Sequence, residues 1–433
     1  MTENANPRAL AVKSLCAWRK NGKYTNLEVS ATLDRSELSA PDRALYTNIV
    51  YGTAERAVTL DYIVSVFSSR PAEKIDTLTL CALEAGLYQL IYLDRVPDHA
   101  AVSETVAAVP RKSKAFVNAV LRSFIRAGKK YPLPEDAGER AAVEYSTPKE
   151  LIAFWREGYP GRELSLAAAS LRRPKTYLRV NTLKTDAASC LSLLGESAES
   201  CPAAEDVIAF SGDAAILRDG IARGLWFVED ITSYLAVKAL APAPGSVLAD
   251  CCAAPGGKSF SAAIEMENCG SVYSFDLHEN KLSLIKTGAE RLGIGIIEAA
   301  ANDARRPVPY LIGKADYLLC DAPCSGLGVI SKKPDIKYKD LGQLERFPEI
   351  QYEILSASAD YVRPGGALVY STCTLNPKEN GGVFTRFLRE HPDFCASDFT
   401  VAGRNSTDGM YTFFPDEGEW DGFFIARAVR KAE

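Results

Sequence analysis

Apolar and polar residues alternate with a helical period over roughly the first third of the chain. Apolar side chains recur there every three to four positions, as on one face of an amphipathic helix. The clearest run begins at Ser113, and its apolar members are Phe116, Val117, Val120, Leu121, Phe124 and Ile125. We therefore predict an all-α domain over residues 1–135.

The next region mixes the helical and the strand period. Strand-like runs lie at 177–180, 207–210 and 225–228, and helical runs lie at 149–155, 163–171 and 186–194. A stretch with two prolines at 131–136 precedes this region and is typical of a linker. We predict a small α+β subdomain over residues 140–230.

From residue 231 onward, short apolar runs alternate with amphipathic helices. The predicted strands are 247–250, 272–276, 296–298, 317–321, 367–373 and 422–426, and the clearest helices are 281–292 and 343–362. Repeated strand–helix units indicate a mostly parallel, doubly wound sheet. We predict an α/β domain over residues 231–433.

Composition narrows the class of protein. Hydrophobic content of 47% and charged content of 24% are ordinary for a globular protein, and no apolar run is long enough to span a membrane. The N-terminus lacks the basic and apolar regions of a signal peptide. The eleven cysteines are widely spread and the three histidines lie at no zinc-like spacing. We expect a cytoplasmic protein with no metal site.

Positive charge is concentrated near the end of the helical region. The chain has a formal charge of −5, yet residues 105–134 contain seven Lys and Arg and no acid. A solvated helix face and a nucleic-acid-binding surface are equally consistent with this charge alone.

A glycine-containing loop follows the first predicted strand of the α/β domain. Residues 250–258 read Asp-Cys-Cys-Ala-Ala-Pro-Gly-Gly-Lys, and a helix begins directly afterwards. Ligands of open α/β sheets bind at such strand ends, where glycine lets the backbone approach them closely. The loop matches neither the dinucleotide pattern nor a phosphate loop. Alone, it fits a ligand site and a generic tight turn equally well.

Acidic residues follow four predicted strands, and two thiols lie at the same sheet edge. A carboxylate after the second strand suits the two hydroxyls of a ribose, whereas an acid at a strand end can also cap the next helix. Four such acids favour an adenosine-containing cofactor. Cysteine becomes a nucleophile where nearby positive charge lowers its pKa, and Lys258 can supply that charge. The residues concerned are Asp250, Asp276, Asp303, Asp321, Cys324 and Cys373.

Three of these stretches resemble motifs of the Nop/Sun family of RNA cytosine methyltransferases. They are residues 250–258, Asp-Ala-Pro-Cys-Ser-Gly at 321–326 and Ser-Thr-Cys-Thr at 371–374. Residues 50–53, 92–102 and 116–122 are similar to the NusB-like RNA-binding domain of members that act on small-subunit ribosomal RNA. Residues 177–181 resemble the small ferredoxin-like subdomain of the family.

The resemblance implies a Rossmann-like class I methyltransferase domain that uses S-adenosyl-L-methionine to methylate carbon-5 of a cytosine in 16S ribosomal RNA. It implies that Cys373 is the nucleophile, that Cys324 assists release and that Asp321 lies beside the cytosine and the cofactor. Asp276 would hold the ribose and Asp303 would lie near the adenine amine. The methionine side would be held by Cys252, Ala253, Ala254, Pro255, Gly256, Gly257 and Lys258, the last also close to the base.

Basic residues on the predicted helix and after the first cysteine motif would contact RNA phosphate. They are Arg111, Lys112, Lys114, Arg122, Arg126, Lys332, Lys333 and Lys337. The chain departs from the family pattern at 331–338, which reads Ser-Lys-Lys-Pro-Asp-Ile-Lys-Tyr in place of Arg-Arg-His-Pro-Asp-Ile-Lys-Trp. Glu229 also stands where glutamine is usual.

Three interpretations remain open from the sequence. The first is a monomeric enzyme that acts on small-subunit ribosomal RNA before full assembly. The second is a related methyltransferase of transfer RNA, and the third is a non-catalytic RNA-binding or antitermination factor. Which thiol attacks is also open from the residues alone, because DNA cytosine methyltransferases use the cysteine of their Pro-Cys motif, here Cys324.

Overall fold

The computed structural model describes residues 6–22 and 24–432. Its internal contacts divide the chain into two compact units. One comprises Met1–Arg172 and Ile330–Leu341, and the other comprises Arg173–Val329 and Gly342–Glu433. The first unit therefore extends beyond the all-α domain predicted over residues 1–135. It includes two of the three helical stretches that we assigned to the small subdomain, those at 149–155 and 163–171.

The first unit is helical because most of its segments carry one apolar face. Its core contains Leu15, Ile49, Leu60, Leu83 and Val117, each from a different helix. Its helices are α1 (Pro7–Asn21), α2 (Thr25–Arg35), α3 (Ala40–Glu55), α4 (Ala57–Ser68), α5 (Thr77–Tyr92), α6 (Asp98–Ala107), α7 (Arg111–Arg126), α8 (Ala137–Glu144), α9 (Lys149–Gly158) and α10 (Glu163–Ala169).

The segment Ile330–Leu341 is packed into the helical unit, although it follows the first cysteine motif in sequence. Thr25 Oγ1 donates a hydrogen bond of 2.6 Å to Asp335 Oδ1. The Tyr338 ring packs edge-on against Trp18 with 5.3 Å between ring centroids, and its hydroxyl donates to Ala54 O at 3.0 Å. These contacts make the segment part of the helical core.

The second unit begins with a small antiparallel sheet of order β2–β3–β1–β4. Alternate buried residues such as Leu178, Ile208 and Trp226 pack it against its own helices. The elements are β1 (Thr176–Val180), α11 (Ala187–Leu194), β2 (Ala198–Ser200), β3 (Val207–Phe210), α12 (Ala214–Arg223) and β4 (Trp226–Val228). The predicted small mixed region is therefore confirmed in outline, and β2 and α12 are additions to it.

The rest of the second unit is a large mixed sheet with helices between its strands. Its elements are α13 (Ile231–Leu240), β5 (Val247–Asp250), α14 (Gly257–Glu265), β6 (Ser271–Asp276), α15 (Glu279–Leu292), β7 (Ile297–Ala301), β8 (Ala315–Asp321), α16 (Phe347–Ala359), β9 (Val362–Thr372), α17 (Val383–Glu390), β10 (Phe394–Ala396), β11 (Thr400–Val401), β12 (Arg404–Asn405), β13 (Met410–Phe413) and β14 (Phe423–Arg430). β11 and β12 form a separate two-stranded sheet.

The large sheet has the order β10–β14–β9–β8–β5–β6–β7, and β13 also pairs with β14. The strands from β7 to β9 are parallel, whereas β14 runs antiparallel to β9. The predicted parallel sheet is confirmed, and the reversed last strand is a feature that periodicity did not indicate. The carboxyl ends of β5, β6 and β8 therefore meet at one edge. Within the described residues, no helix has the length and apolar character needed to cross a bilayer.

Candidate active site

The glycine loop after β5 forms one wall of a cavity of about 180 Å³. Gly256 has φ +116°, which favours glycine, and a Cβ there would lie 2.4 Å from the Phe260 ring. The loop thus turns tightly into α14 and leaves backbone groups beside the cavity. Lining residues include Cys252, Ala253, Ala254, Pro255, Gly257, Lys258 and Asp321 from the predicted set, with Val228, Glu229, Asp230, Ser233 and Asp250.

Asp250 is buried and stabilises the glycine loop through hydrogen bonds. Its Oδ2 accepts a 2.6 Å hydrogen bond from Ser259 Oγ, which in turn receives one of 2.8 Å from Ser274 Oγ. Burial raises the pKa of Asp250 to about 7, although the bond from Ser259 acts in the opposite direction. Asp250 therefore joins the strand end to the first turn of α14.

Asp276 connects the loop to the end of β6. Its Oδ2 accepts the Ala254 N–H at 3.2 Å and its Oδ1 accepts the His278 N–H at 2.9 Å. Asp303 follows β7 and lies against Arg305, whose side chain donates bonds of 3.0 and 2.8 Å to its two oxygens. The hydrogen bond from Arg305 lowers the pKa of Asp303. Both acids lie after successive parallel strands, as the sequence predicted.

Lys258 and Asp321 form a partly buried ion pair at the cavity. Lys258 Nζ lies 2.7 Å from Asp321 Oδ2 and 3.2 Å from Ser233 Oγ. Because Asp321 and Ser371 are paired residues of β8 and β9, the Ser371 hydroxyl reaches Asp321 Oδ1 at 2.7 Å. Burial opposes the charge of Lys258, but Asp321 outweighs it and the pKa of Lys258 is raised. Lys258 therefore remains an ammonium and holds one carboxylate oxygen in place.

The two predicted thiols lie side by side, with 3.2 Å between Cys324 Sγ and Cys373 Sγ. Cys373 follows the last residue of β9, and Cys324 lies in the loop after β8, which is the neighbouring strand. The adjacent Cys373 sulfur and burial raise the pKa of Cys324 well above its ordinary value. Either sulfur can be the donor of the contact between them.

These groups suit a methyl-donor cofactor. The loop offers small residues and backbone donors, and Asp276 lies at the adjacent strand end, where a carboxylate can accept hydrogen bonds from ribose hydroxyls. Residues that the sequence did not single out are Ser233 and Ser371, which orient the Lys258–Asp321 pair. Ser371 is the first residue of the Ser-Thr-Cys-Thr motif, whereas the only sequence signal of Ser233 is its place in the helix after β4.

Most of the predicted RNA-contacting residues lie on the surface of the helical unit. Arg111, Lys112, Lys114, Arg122 and Arg126 are all exposed on α7, opposite its buried apolar face. Lys333 is exposed and Lys332 is half-buried.

Lys337 differs from these because it is 2% exposed. Its ammonium group donates to Glu55 O and to Ser146 O, each at 3.0 Å. We therefore remove Lys337 from the expected phosphate contacts, since its amine is used inside the helical core.

Two separate parts of the chain match family models. Residues 237–429 match the family described as 16S rRNA methyltransferase RsmB/F, and residues 5–126 match the NusB family. The chain is 38% identical to a probable ribosomal RNA small subunit methyltransferase B of Bacillus subtilis, with 98% of each chain covered. It is 32% identical to ribosomal RNA small subunit methyltransferase B of Yersinia pseudotuberculosis over 100% of both chains.

Solved structures share the fold. The crystal structure of PH0851 aligns with a TM-score of 0.81 at 22% identity, over 99% of this chain and 100% of that one. A methyltransferase homolog protein from Pyrococcus horikoshii aligns with a TM-score of 0.60 at 25% identity, over 69% of this chain and 100% of its own.

The fold and these matches define an S-adenosylmethionine-dependent methyltransferase that carries a NusB domain. More narrowly, the chain belongs to the RsmB/F family of 16S rRNA methyltransferases. The predicted family is confirmed. Membership favours the ribosomal RNA enzyme over the transfer RNA enzyme and the non-catalytic factor.

Proposed function

We propose that the protein methylates carbon-5 of a cytosine in 16S ribosomal RNA through a transient bond between Cys373 Sγ and carbon-6. The observation that supports this proposal best is the pair of thiols, 3.2 Å apart, at the same sheet edge as the Lys258–Asp321 pair. S-adenosylmethionine, held by Cys252 to Lys258 with Asp276 and Asp303, would supply an electrophilic methyl group.

A thiol must add to the ring because carbon-5 of cytosine alone is too weakly nucleophilic to accept the methyl group. We assign this attack to Cys373. Addition of a thiolate to carbon-6 moves electron density to carbon-5, which can then take up the methyl group. The two sulfurs are close enough for a thiol at Cys324 to donate a hydrogen bond to a thiolate at Cys373, and the family resemblance assigns the attack to Cys373. The carbon-5 proton passes to solvent and Cys373 leaves carbon-6 as a thiolate, which restores the ring. We assign Cys324 to this release, as the hydrogen-bond donor to the departing sulfur.

Asp321 is assigned to accept a hydrogen bond from N3–H of the base once N3 is protonated during the addition. Lys258 holds its Oδ2 and Ser371 holds its Oδ1, so that the carboxylate keeps one orientation. Such preorganised groups stabilise the charge that develops on the ring without having to rearrange.

The wider assignments follow from the same family. We assign the large sheet to the Rossmann-like class I fold and the small sheet to the ferredoxin-like subdomain. The exposed basic face of α7 would contact phosphate without reading sequence. A target base must leave its stack to reach the thiols, which favours ribosomal RNA that is not yet fully assembled. We expect the protein to act as a cytoplasmic monomer.

Methyl transfer to a 16S ribosomal RNA transcript tests the proposal. Tritiated S-adenosylmethionine should label the RNA, and nuclease digestion should yield 5-methylcytidine. Cys373→Ala should abolish labelling, whereas Cys395→Ala, which changes an exposed cysteine elsewhere, should not. Labelling of another atom, or full activity of Cys373→Ala, would contradict the proposal.

A further inference from the structure

A buried carboxylate, Glu379, lies behind the two thiols and outside the set of residues considered so far. It is 0% exposed and belongs to the helical turn Lys378–Gly382, just after the Cys373 motif. A desolvated carboxylate is costly unless every lone pair is used. Its contacts therefore show what it stabilises.

Each oxygen of Glu379 accepts two hydrogen bonds. Oε2 accepts the Ser325 N–H and the Gln351 side-chain amide, each at 2.9 Å. Oε1 accepts the Asn376 amide at 2.9 Å and also the Ser325 hydroxyl. All four donors are neutral groups, and two of them belong to the residue that follows Cys324.

The same network reaches the residue that follows Cys373. Ser325 Oγ lies 2.6 Å from Thr374 Oγ1, and because the Ser325 proton points to Glu379, Thr374 is the donor. Gln351 also donates to Pro323 O at 2.9 Å, immediately before Cys324. One carboxylate thus connects the backbone on both sides of Cys324 to the loop of Cys373.

We propose that Glu379 is a positioning residue that sets the spacing and orientation of the two thiols. The inference rests on the proposed roles of Cys324 and Cys373. It adds a group that touches neither RNA nor cofactor and acts only through Ser325, Thr374 and Gln351.

Glutamine has nearly the shape of glutamate but cannot replace it here. Whichever way its amide is turned, its NH₂ group faces two donors, because each Glu379 oxygen accepts two bonds. The two loops must then separate slightly. The Gly328 N–H bond to Cys373 O, at 3.0 Å, still joins them, so the fold should persist while the thiols shift.

The test compares Glu379→Gln with wild type and with Glu345→Gln, an exposed acid that pairs with Lys378. We expect Glu379→Gln to lower kcat for methyl transfer about a hundredfold, the effect of a misplacement of about 1 Å. Affinity for S-adenosylmethionine, measured by calorimetry, should stay within about twofold of wild type. Oxidation by diamide should form the Cys324–Cys373 disulfide, mapped by mass spectrometry, more slowly. Glu345→Gln should match wild type in all three measurements.

An unchanged kcat and disulfide rate in folded Glu379→Gln would overturn the inference, as would a parallel loss of kcat and cofactor affinity. Should this variant not fold, Ser325→Ala decides, because it removes only the hydroxyl link and should lower kcat about tenfold with unchanged cofactor affinity. Full activity of Ser325→Ala would then overturn it. If wild type itself transfers no methyl group to 16S ribosomal RNA, the proposed function fails instead.

Discussion

Replacing Lys337 by methionine should change how the stability of the helical unit depends on pH. The Lys337 ammonium is buried and donates to Glu55 O and Ser146 O. Burial lowers the pKa of Lys337 to about 7, against an opposite influence from the Glu55 carboxylate. Methionine has a similar length and no ionisable group, so the variant removes this titration from the protein.

The sign and size of the effect follow from linkage. The ordinary pKa of a lysine side chain is 10.5, whereas the pKa of Lys337 in the folded chain is about 7, so the unfolded chain binds more protons between these values. Stability of the wild type must therefore rise with pH across that window. For a shift of this size, the gain between pH 7 and pH 9 is about 2 kcal/mol.

Urea denaturation followed by circular dichroism measures this gain at pH 7, 8 and 9. The free energy of unfolding of wild type, relative to Lys337→Met, should increase by about 2 kcal/mol over this range, because the other titrating groups are common to both proteins. Lys333→Met, which changes an exposed lysine of the same segment, should follow wild type. Curves for wild type and Lys337→Met that stay parallel within about 0.5 kcal/mol would refute the reasoning.

The active-site ion pair, the acid beneath the glycine loop and the basic helix each lead to a further expected outcome. Lys258→Met should lower single-turnover methyl transfer about a hundredfold, because the partly exposed Asp321 loses one of the two donors that orient its carboxylate; near-normal transfer would contradict this. Burial raises the pKa of Asp250 to about 7 in the folded chain. The free energy of unfolding of wild type, relative to that of Asp250→Asn, should therefore fall as the pH rises from 4 to 7, and a difference that does not change with pH would contradict this. Replacing Arg111, Lys112 and Lys114 together by alanine should lower the steepness of log RNA affinity against log salt concentration by about 2–3, as measured by filter binding. An unchanged slope would exclude α7 from the RNA surface.

The fold was predictable where local pattern and packing agree. The apolar face of α7 and the run of β5, loop and α14 follow directly from periodicity and glycine placement. The short edge strand β2 was not predictable, because its residues are largely exposed and pair only with β3. The reversal of β14 likewise depends on its pairing with β9 and not on its own sequence.

The residue types that form the site were predictable, but the buried residues that hold them in place were not. Strand ends that carry Asp276, Asp321 and Cys373 converge because the strands are parallel, a consequence that sequence reasoning can reach. Lys337 was expected at the surface because lysine is rarely buried, yet its contacts with distant backbone carbonyls hold it inside. Glu379 was missed for the same reason, since its partners come from segments far apart in the chain.

In the proposed reaction, the sulfur of Cys373, and not that of Cys324, bonds to the cytosine. The most direct measurement is a denaturing gel of each single alanine variant after incubation with 16S ribosomal RNA and S-adenosylmethionine. We expect a band of covalently linked protein and RNA for Cys324→Ala, in which release is blocked, and none for Cys373→Ala. A linked band for Cys373→Ala, with none for Cys324→Ala, would contradict it.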